Sequence, residues 1–156
     1  RVQGEISLMP DVSAECVFCR IVRGELPSAK VFENEHVLAF LDIAPITRGH
    51  TLVIPKRHVE DLLTAPADLV AEVARSLPQL AAALRRATGA DGIQVIQLNG
   101  RAAGQVVMHL HVHLIPRSAS DRVQLLIPKG GRYEGHQMQK IAAVIARELR
   151  AAGDFR

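Results

Sequence analysis

Three of the chain's seven histidines fall at alternate positions in Met108-His109-Leu110-His111-Val112-His113-Leu114-Ile115-Pro116. In an extended strand successive side chains point to opposite faces. The alternation therefore predicts His109, His111 and His113 on one face and Leu110, Val112 and Leu114 on the other. At a rise of about 3.3 Å per residue, neighbouring imidazoles would lie roughly 6.6 Å apart. A helix would scatter them over about 400° of rotation. Imidazole titrates near neutrality, so it can act as nucleophile, proton carrier or metal ligand at pH 7. Three rings this close cannot all be cationic, because like charges oppose one another.

Cys16 and Cys19, the chain's two cysteines, form a Cys-x-x-Cys pair. In a reducing compartment this spacing points to metal binding or redox chemistry rather than a structural disulfide. Nothing before Cys16 reads as a strand, which disfavours a thioredoxin-like turn. A structural zinc site closes with four N/S ligands. The missing two donors can come from His50, His58, His109, His111 or His113, whereas His36 and His136 read as surface residues. If His109 goes to the metal, His111 is left central and available. A neutral imidazole attacking phosphorus forms a phosphoramidate and splits one hard displacement into two easier ones. Its attacking nitrogen must be unprotonated and the other held as a donor, most simply to a backbone carbonyl. His113 and His50 can donate to phosphate oxygens. In the preceding loop, Gly100, Ala102, Ala103 and Gly104 keep side chains away and let backbone N–H groups approach a phosphate. Gln105 can hydrogen-bond a bridging or leaving oxygen.

The elements that must position these groups are legible in outline. Glu15 to Arg23 reads as one or two helical turns ending at Gly24. Lys30–Glu33 and His36–Asp42 read as a hairpin about Asn34-Glu35, and His50–Pro55 as a third strand. From Pro66 to Thr88, Leu69, Val73, Leu77, Leu80 and Leu84 recur at helical spacing. Pro78 should kink or split that helix, and Gly89 should end it. Ile93–Leu98 and Val107–Ile115 complete the strands, the last stopped by Pro116. Leu125–Ile127 reads as a short extended piece. His136 to Ala151 reads as an amphipathic helix, with Ile141, Ile145 and Leu149 at i, i+4, i+8. The fold class is α+β: an antiparallel sheet of about five strands with one long central helix and a C-terminal helix.

Composition sets the bounds. A length of 156 residues with 48% hydrophobic and 22% charged residues suits one globular domain over residues 15–156. Residues 1–14 lack periodicity and read as a flexible leader or a cloning remnant. No apolar run approaches 18 residues and no secretory leader is evident, so no membrane partner and a cytoplasmic location are expected. The net charge is +3 with scattered basic residues, and the aromatics are four Phe, one Tyr and no Trp. That leaves neither a stripe for a nucleic-acid backbone nor a stacking platform for single strands.

The stretches Cys16-Val17-Phe18-Cys19-Arg20-Ile21, Gly24-Glu25-Leu26-Pro27, Ala39-Phe40-Leu41-Asp42-Ile43, Gly49-His50-Thr51-Leu52-Val53-Ile54-Pro55-Lys56 and Ala103-Gly104-Gln105, with the histidine row, resemble the Hint-like branch of the histidine-triad (HIT) family. The resemblance covers the chain from about Cys16 to Arg117. It implies a structural zinc on Cys16, Cys19, His58 and His109, with His50 the rival for the third position. It implies nucleotidylation of His111 at the α-phosphate of a purine nucleotide, with a phosphoramidate or a dinucleoside polyphosphate as substrate. Asp42 would bind the ribose hydroxyls, and Phe18, Ile21, Phe40 and Ile43 would line the base pocket. Gly104 would approach the phosphate. Asn99 sits near a family amide that contacts sugar or phosphate, with Leu98 the neighbour one position off. A homodimer is implied, built on the long helix and a sheet edge. One departure stands out: Val106 occupies a position where the family usually has Ser or Thr. It sustains a second reading, a zinc-stabilised nucleotide-binding regulatory module with weak catalysis.

Overall fold

A computed structural model describes residues 15–123 and 130–152. The leader and the piece at Leu125–Ile127 lie outside the described residues. The chain divides into two compact units at Val123/Gln124. The first contains α1 (Val17–Val22), β1 (Lys30–Glu33), β2 (Val37–Leu41), β3 (Thr51–Pro55), α2 (Ala67–Thr88), β4 (Gly92–Gln97) and β5 (Val112–Arg117). The second contains α3 (Gln137–Ala152). The sheet order is β1-β2-β3-β5-β4, and every pair is antiparallel. The architecture is the α+β arrangement expected.

Both faces of this sheet are covered, which explains why β2 and β3 are apolar throughout rather than alternating. One face carries Val37, Ala39, Val53, Val112 and Leu114 against Val73, Leu80 and Leu84 of α2. The other carries Leu38, Phe40, Leu52 and Ile54 against Phe18 and Ile21 of α1. His113 pairs directly with Leu52, and directly opposed residues share a face. Strand alternation thus sends Val112 and Leu114 into the α2 core and His113 to the α1 side.

Two prolines behave otherwise than their sequence context suggests. Pro78 lies inside α2, yet the helix runs unbroken from Ala67 to Thr88. Pro78 and Ala74 are both exposed, so the carbonyl that loses its i+4 donor can turn to water. Pro116 does not stop β5, which pairs through it and ends at Arg117. In a strand a residue's N and C=O point the same way. The Pro116 carbonyl accepts the Thr47 hydroxyl at 2.7 Å, on the side where β3 pairing has already ended at Leu114. The missing N–H therefore breaks no ladder bond.

The loop before β3 is drawn tightly onto α2. Gly49 has φ +88°, and a Cβ there would lie 2.7 Å from Thr88 Cγ2. Gly49→Ala is expected to lower unfolding free energy by about 1–3 kcal/mol, read from urea denaturation. An unchanged midpoint would show that this turn is freely remodelled.

Candidate active site

The histidine row is not one straight strand. β5 begins only at Val112, and residues 107–109 form a bend. Neighbouring brackets hold the bend in place. Leu110 N–H donates to Val59 O at 2.8 Å. Gln105, 2% exposed, donates through Nε2 to Glu60 O at 2.7 Å and Val107 O at 3.0 Å, and accepts Gly100 N–H at 2.7 Å. The evenly spaced 6.6 Å row is thereby corrected. The His111 and His113 rings are 4.9 Å apart, and His109 turns to a different set of neighbours.

Those neighbours are Cys16, Cys19 and His58, whose donor atoms lie with that of His109 within 4.8 Å of one another. His109 Nε2–H donates to Pro55 O at 2.8 Å. A carbonyl can only accept, so the lone pair sits on Nδ1, 3.5 Å from Cys16 Sγ and 3.6 Å from Cys19 Sγ. His58 Nδ1 lies 3.3 Å from Cys19 Sγ. Zinc bonds of about 2.3 Å to sulfur and 2.0–2.1 Å to nitrogen give tetrahedral S···N edges of about 3.5 Å. The donor set therefore fits a four-coordinate zinc. Neither cysteine is in a disulfide. Burial pushes the His109 pKa down to about 4, so the ring is neutral and ready to ligate at pH 7.

His50 belongs elsewhere. It groups with Asp42 and His113, and its tautomer can be read from its partners. Ile46 N–H donates to His50 Nδ1 at 3.2 Å, which leaves the proton on Nε2. Nε2–H then donates to His113 Nδ1 at 2.9 Å, which leaves the His113 proton on its own Nε2. With both nitrogens engaged and 2% exposure, His50 touches His113 and is not among the residues lining the cavity described below. The N–H···N bond also occupies the His113 lone pair a metal would need, so His50 and His113 are a hydrogen-bonded pair, with the Asp42 carboxylate 3.7 Å from His50 Nδ1. The choice between His50 and His58 falls to His58 on geometry.

His111 Nδ1–H donates to the carbonyl of His109 at 2.7 Å. The opposite nitrogen, Nε2, must carry the lone pair. His111 and His113 both line a cavity of about 460 Å³. Burial lowers the His111 and His50 pKa values. It takes His113 down to about 4, helped by its imidazole neighbours. The cluster is neutral at pH 7, and His111 Nε2 carries a lone pair.

The remaining wall is mostly apolar. Phe18, Ile21 and Phe40 line it together with Leu52 and Val107, and Asp42 is also in the lining. Asp42 Oδ1 accepts Ala44 N–H at 2.9 Å. Ile43 stands on the rim, 98% exposed, and so does Val106 at 82%. Gly104, φ +94°, approaches the cavity where a side chain would be strained. Leu98, not Asn99, joins the wall. The Asn99 carboxamide is used internally, accepting Leu62 N–H at 2.8 Å and pairing with Gln97. Gln105 likewise braces the loop. The amide-rich sequence signals the turn here, but does not say which amides are committed to it.

The candidate metal clasp, the neutral imidazole pair and the small-residue loop coincide with a family pattern. The HIT domain family model matches residues 23–120. The chain belongs to the HIT family. Protein hit of Bacillus subtilis is 41% identical over 136 residues, covering 86% of this chain and 94% of that protein. Adenylylsulfatase HINT3 of Arabidopsis thaliana is 43% identical over 107 residues, 69% of this chain and 54% of that protein. The crystal structure of a Zn-bound histidine triad family protein from Mycobacterium smegmatis is similar at TM-score 0.68 and 39% identity, covering 89% of this chain and 99% of that one. Within this HIT fold, no described helix is long and apolar enough to cross a membrane.

Proposed function

We propose that this HIT protein is a hydrolase or transferase acting at the α-phosphate of purine nucleoside phosphoramidates or dinucleoside polyphosphates, through a covalent nucleotidyl-His111 intermediate. The observation that carries the reading is the His111 Nδ1–H bond to the His109 carbonyl, which leaves the lone pair on Nε2. The lone pair attacks the α-phosphorus, the bond to the leaving group breaks, and the leaving group takes a proton from solvent. Water then attacks the same phosphorus and gives one proton back to solvent, the P–N bond breaks with its electron pair returning to His111 Nε2, and the nucleotide leaves. His113 Nε2–H donates to a phosphate oxygen as charge develops, held in that tautomer by His50. The Asp42 carboxylate accepts the ribose hydroxyls, and Phe18, Ile21, Phe40 and Ile43 enclose the base. Cys16, Cys19, His58 and His109 would hold a structural zinc that leaves no position for water or substrate. A relative named an adenylylsulfatase is consistent with adenylyl transfer from a varied leaving group. The cysteine pair, kept out of a disulfide, suits a reducing cytoplasm.

The sheet edges support a homodimer. β1 is guarded by the Lys30–Glu33 and Lys56–Glu33 ion pairs and a register irregularity. β4 is an edge too, but Gly-Ile-Gln-Val-Ile-Gln has no charge, and Val95 is 52% exposed. Unguarded apolar edges invite pairing with another strand, and a second β4 across a two-fold axis would satisfy both.

Release of AMP from an adenosine phosphoramidate and from a diadenosine polyphosphate tests the reaction. Release from neither, with AMP still bound, would leave the second reading: a nucleotide-binding regulatory module whose Val106 marks lost catalysis. Val106→Thr discriminates further. A hydroxyl added at this exposed rim is expected to raise kcat about fivefold, the worth of one net hydrogen bond, with little change in melting temperature. An unchanged kcat would show that this position does not address the leaving group.

A further inference from the structure

Phe18 has a position that lining the base pocket does not explain. It lies between Cys16 and Cys19, is 6% exposed, and sits edge-on to three rings. Its centroid is 5.6 Å from Phe40 at 71°, 5.8 Å from His109 at 72° and 5.3 Å from His111 at 82°. The helix that carries it has six residues, and Cys16 at its N-cap makes no side-chain cap bond. So short a helix does not stand alone. It is held by the burial of Phe18, Cys19 and Ile21 and by the two thiols at the metal clasp.

The nucleophile needs more than one restraint. The His109 carbonyl anchors Nδ1 of His111, but one hydrogen bond leaves the ring able to swing about that anchor or turn over. Either motion misaims Nε2, and a misaim of the order of 1 Å is costly in rate. We infer that Phe18 is a positioning residue for His111: its edge-to-face contact holds the imidazole plane in which Nδ1 donates to the His109 carbonyl and Nε2 faces the cavity. The clasp then grips the nucleophile from two directions. His109 gives its ring to the metal set and its carbonyl to His111, while the turn between the two thiols gives Phe18. The inference rests on His111 being the nucleophile of the proposed reaction.

Imidazole ¹⁵N spectra of the zinc-loaded protein test it, with His111 assigned by its loss in His111→Ala. The wild type should show well-separated His111 nitrogen shifts, the mark of a single Nδ1–H tautomer. In Phe18→Leu these shifts are expected to draw together as tautomers average. In the same variant kcat should fall about tenfold, with KM within about threefold and zinc content unchanged. Ile21→Ala removes a neighbouring wall of the same cavity, and should raise KM while leaving the His111 shifts in place. Wild-type shifts in Phe18→Leu would overturn the proposal, as would a loss confined to KM, which would make Phe18 a base-pocket wall only. Should Phe18→Leu shed zinc, Phe18→Met repeats the test with a longer side chain, and zinc loss in both reduces Phe18 to a core residue and overturns it. The spectra need no substrate, so failure to release nucleotide would sink the proposed reaction and still leave this inference decided.

Discussion

His111→Ala is expected to reduce nucleotide release by about a thousandfold or more, the scale seen when the nucleophile of a covalent mechanism is removed. The effect should be this large because no other group can take over. His113 Nδ1 accepts from His50 and its Nε2 carries the proton, so it offers no lone pair to phosphorus. His109 keeps its lone pair but aims it at Cys16 and Cys19. The variant should retain its zinc, because His111 contributes no atom to the clasp. It should keep AMP affinity within a few-fold, because the apolar wall and Asp42 remain. A mixing experiment with radiolabelled substrate, quenched in alkali, should trap nucleotide on the wild-type chain and none on the variant. Trapped label on His111→Ala, or release within tenfold of wild type, would assign the nucleophile elsewhere.

The same tautomer logic makes His50 instructive. As a direct phosphate donor, as the residue pattern suggests, its loss would weaken ligand binding. With both its nitrogens engaged and the ring buried, a role through His113 predicts instead a fall in kcat with ligand affinity kept. A sequence shows that an imidazole is near a site, but the two partners that set its proton lie 4 and 63 residues away.

Several elements were readable because their signals are local. The five apolar positions of α2 recur at helical spacing, and Gly89 ends the helix with φ +69°. The strand at Thr51–Pro55 came within one residue of expectation. The Cys-x-x-Cys spacing points to metal binding or redox chemistry, and the fold brings His58 and His109 to the pair as a candidate metal site. Other features needed tertiary information. His-Leu-His-Val-His has the same alternation whether Leu110 is in a ladder or hung on Val59, and only the fold decides. Asn99 and Gln105 are chemically able to meet a phosphate, but backbone groups at Leu62, Gly100, Glu60 and Val107 claim them first. Pro116 reads as a strand stop until it is known that β3 has already ended beside it. The Phe18–His111 contact joins residues far apart in sequence and leaves no periodic trace.

Removing one clasp ligand is expected to have the largest effect on stability. In Cys19→Ala the zinc content should fall from one ion per chain to below about a tenth, and the melting temperature should drop by about 6–12 °C. A tightly bound ligand adds about 3 kcal/mol once it exceeds its dissociation constant a hundredfold, and each kcal/mol moves a domain of this size by about 2–4 °C. The domain should remain folded, because the α2 face of the sheet is packed independently of the clasp. The loss should concentrate where the clasp ties α1 to the β3 end and to His109. Hydrogen exchange should therefore rise across Val17–Val22 while Val37–Leu41 stays protected. Chelation of the wild type should reproduce the shift, and zinc added back should reverse it in the wild type alone. Full zinc occupancy in Cys19→Ala would exclude a four-ligand clasp. An unchanged melting temperature in the metal-free protein would mean that packing by Phe18 and Ile21 holds α1 without it. The chemistry of the His109 ring sets the direction of the pH response: neutral down to about pH 4 in the metal-free protein, it should not itself compete with zinc for protons at pH 7.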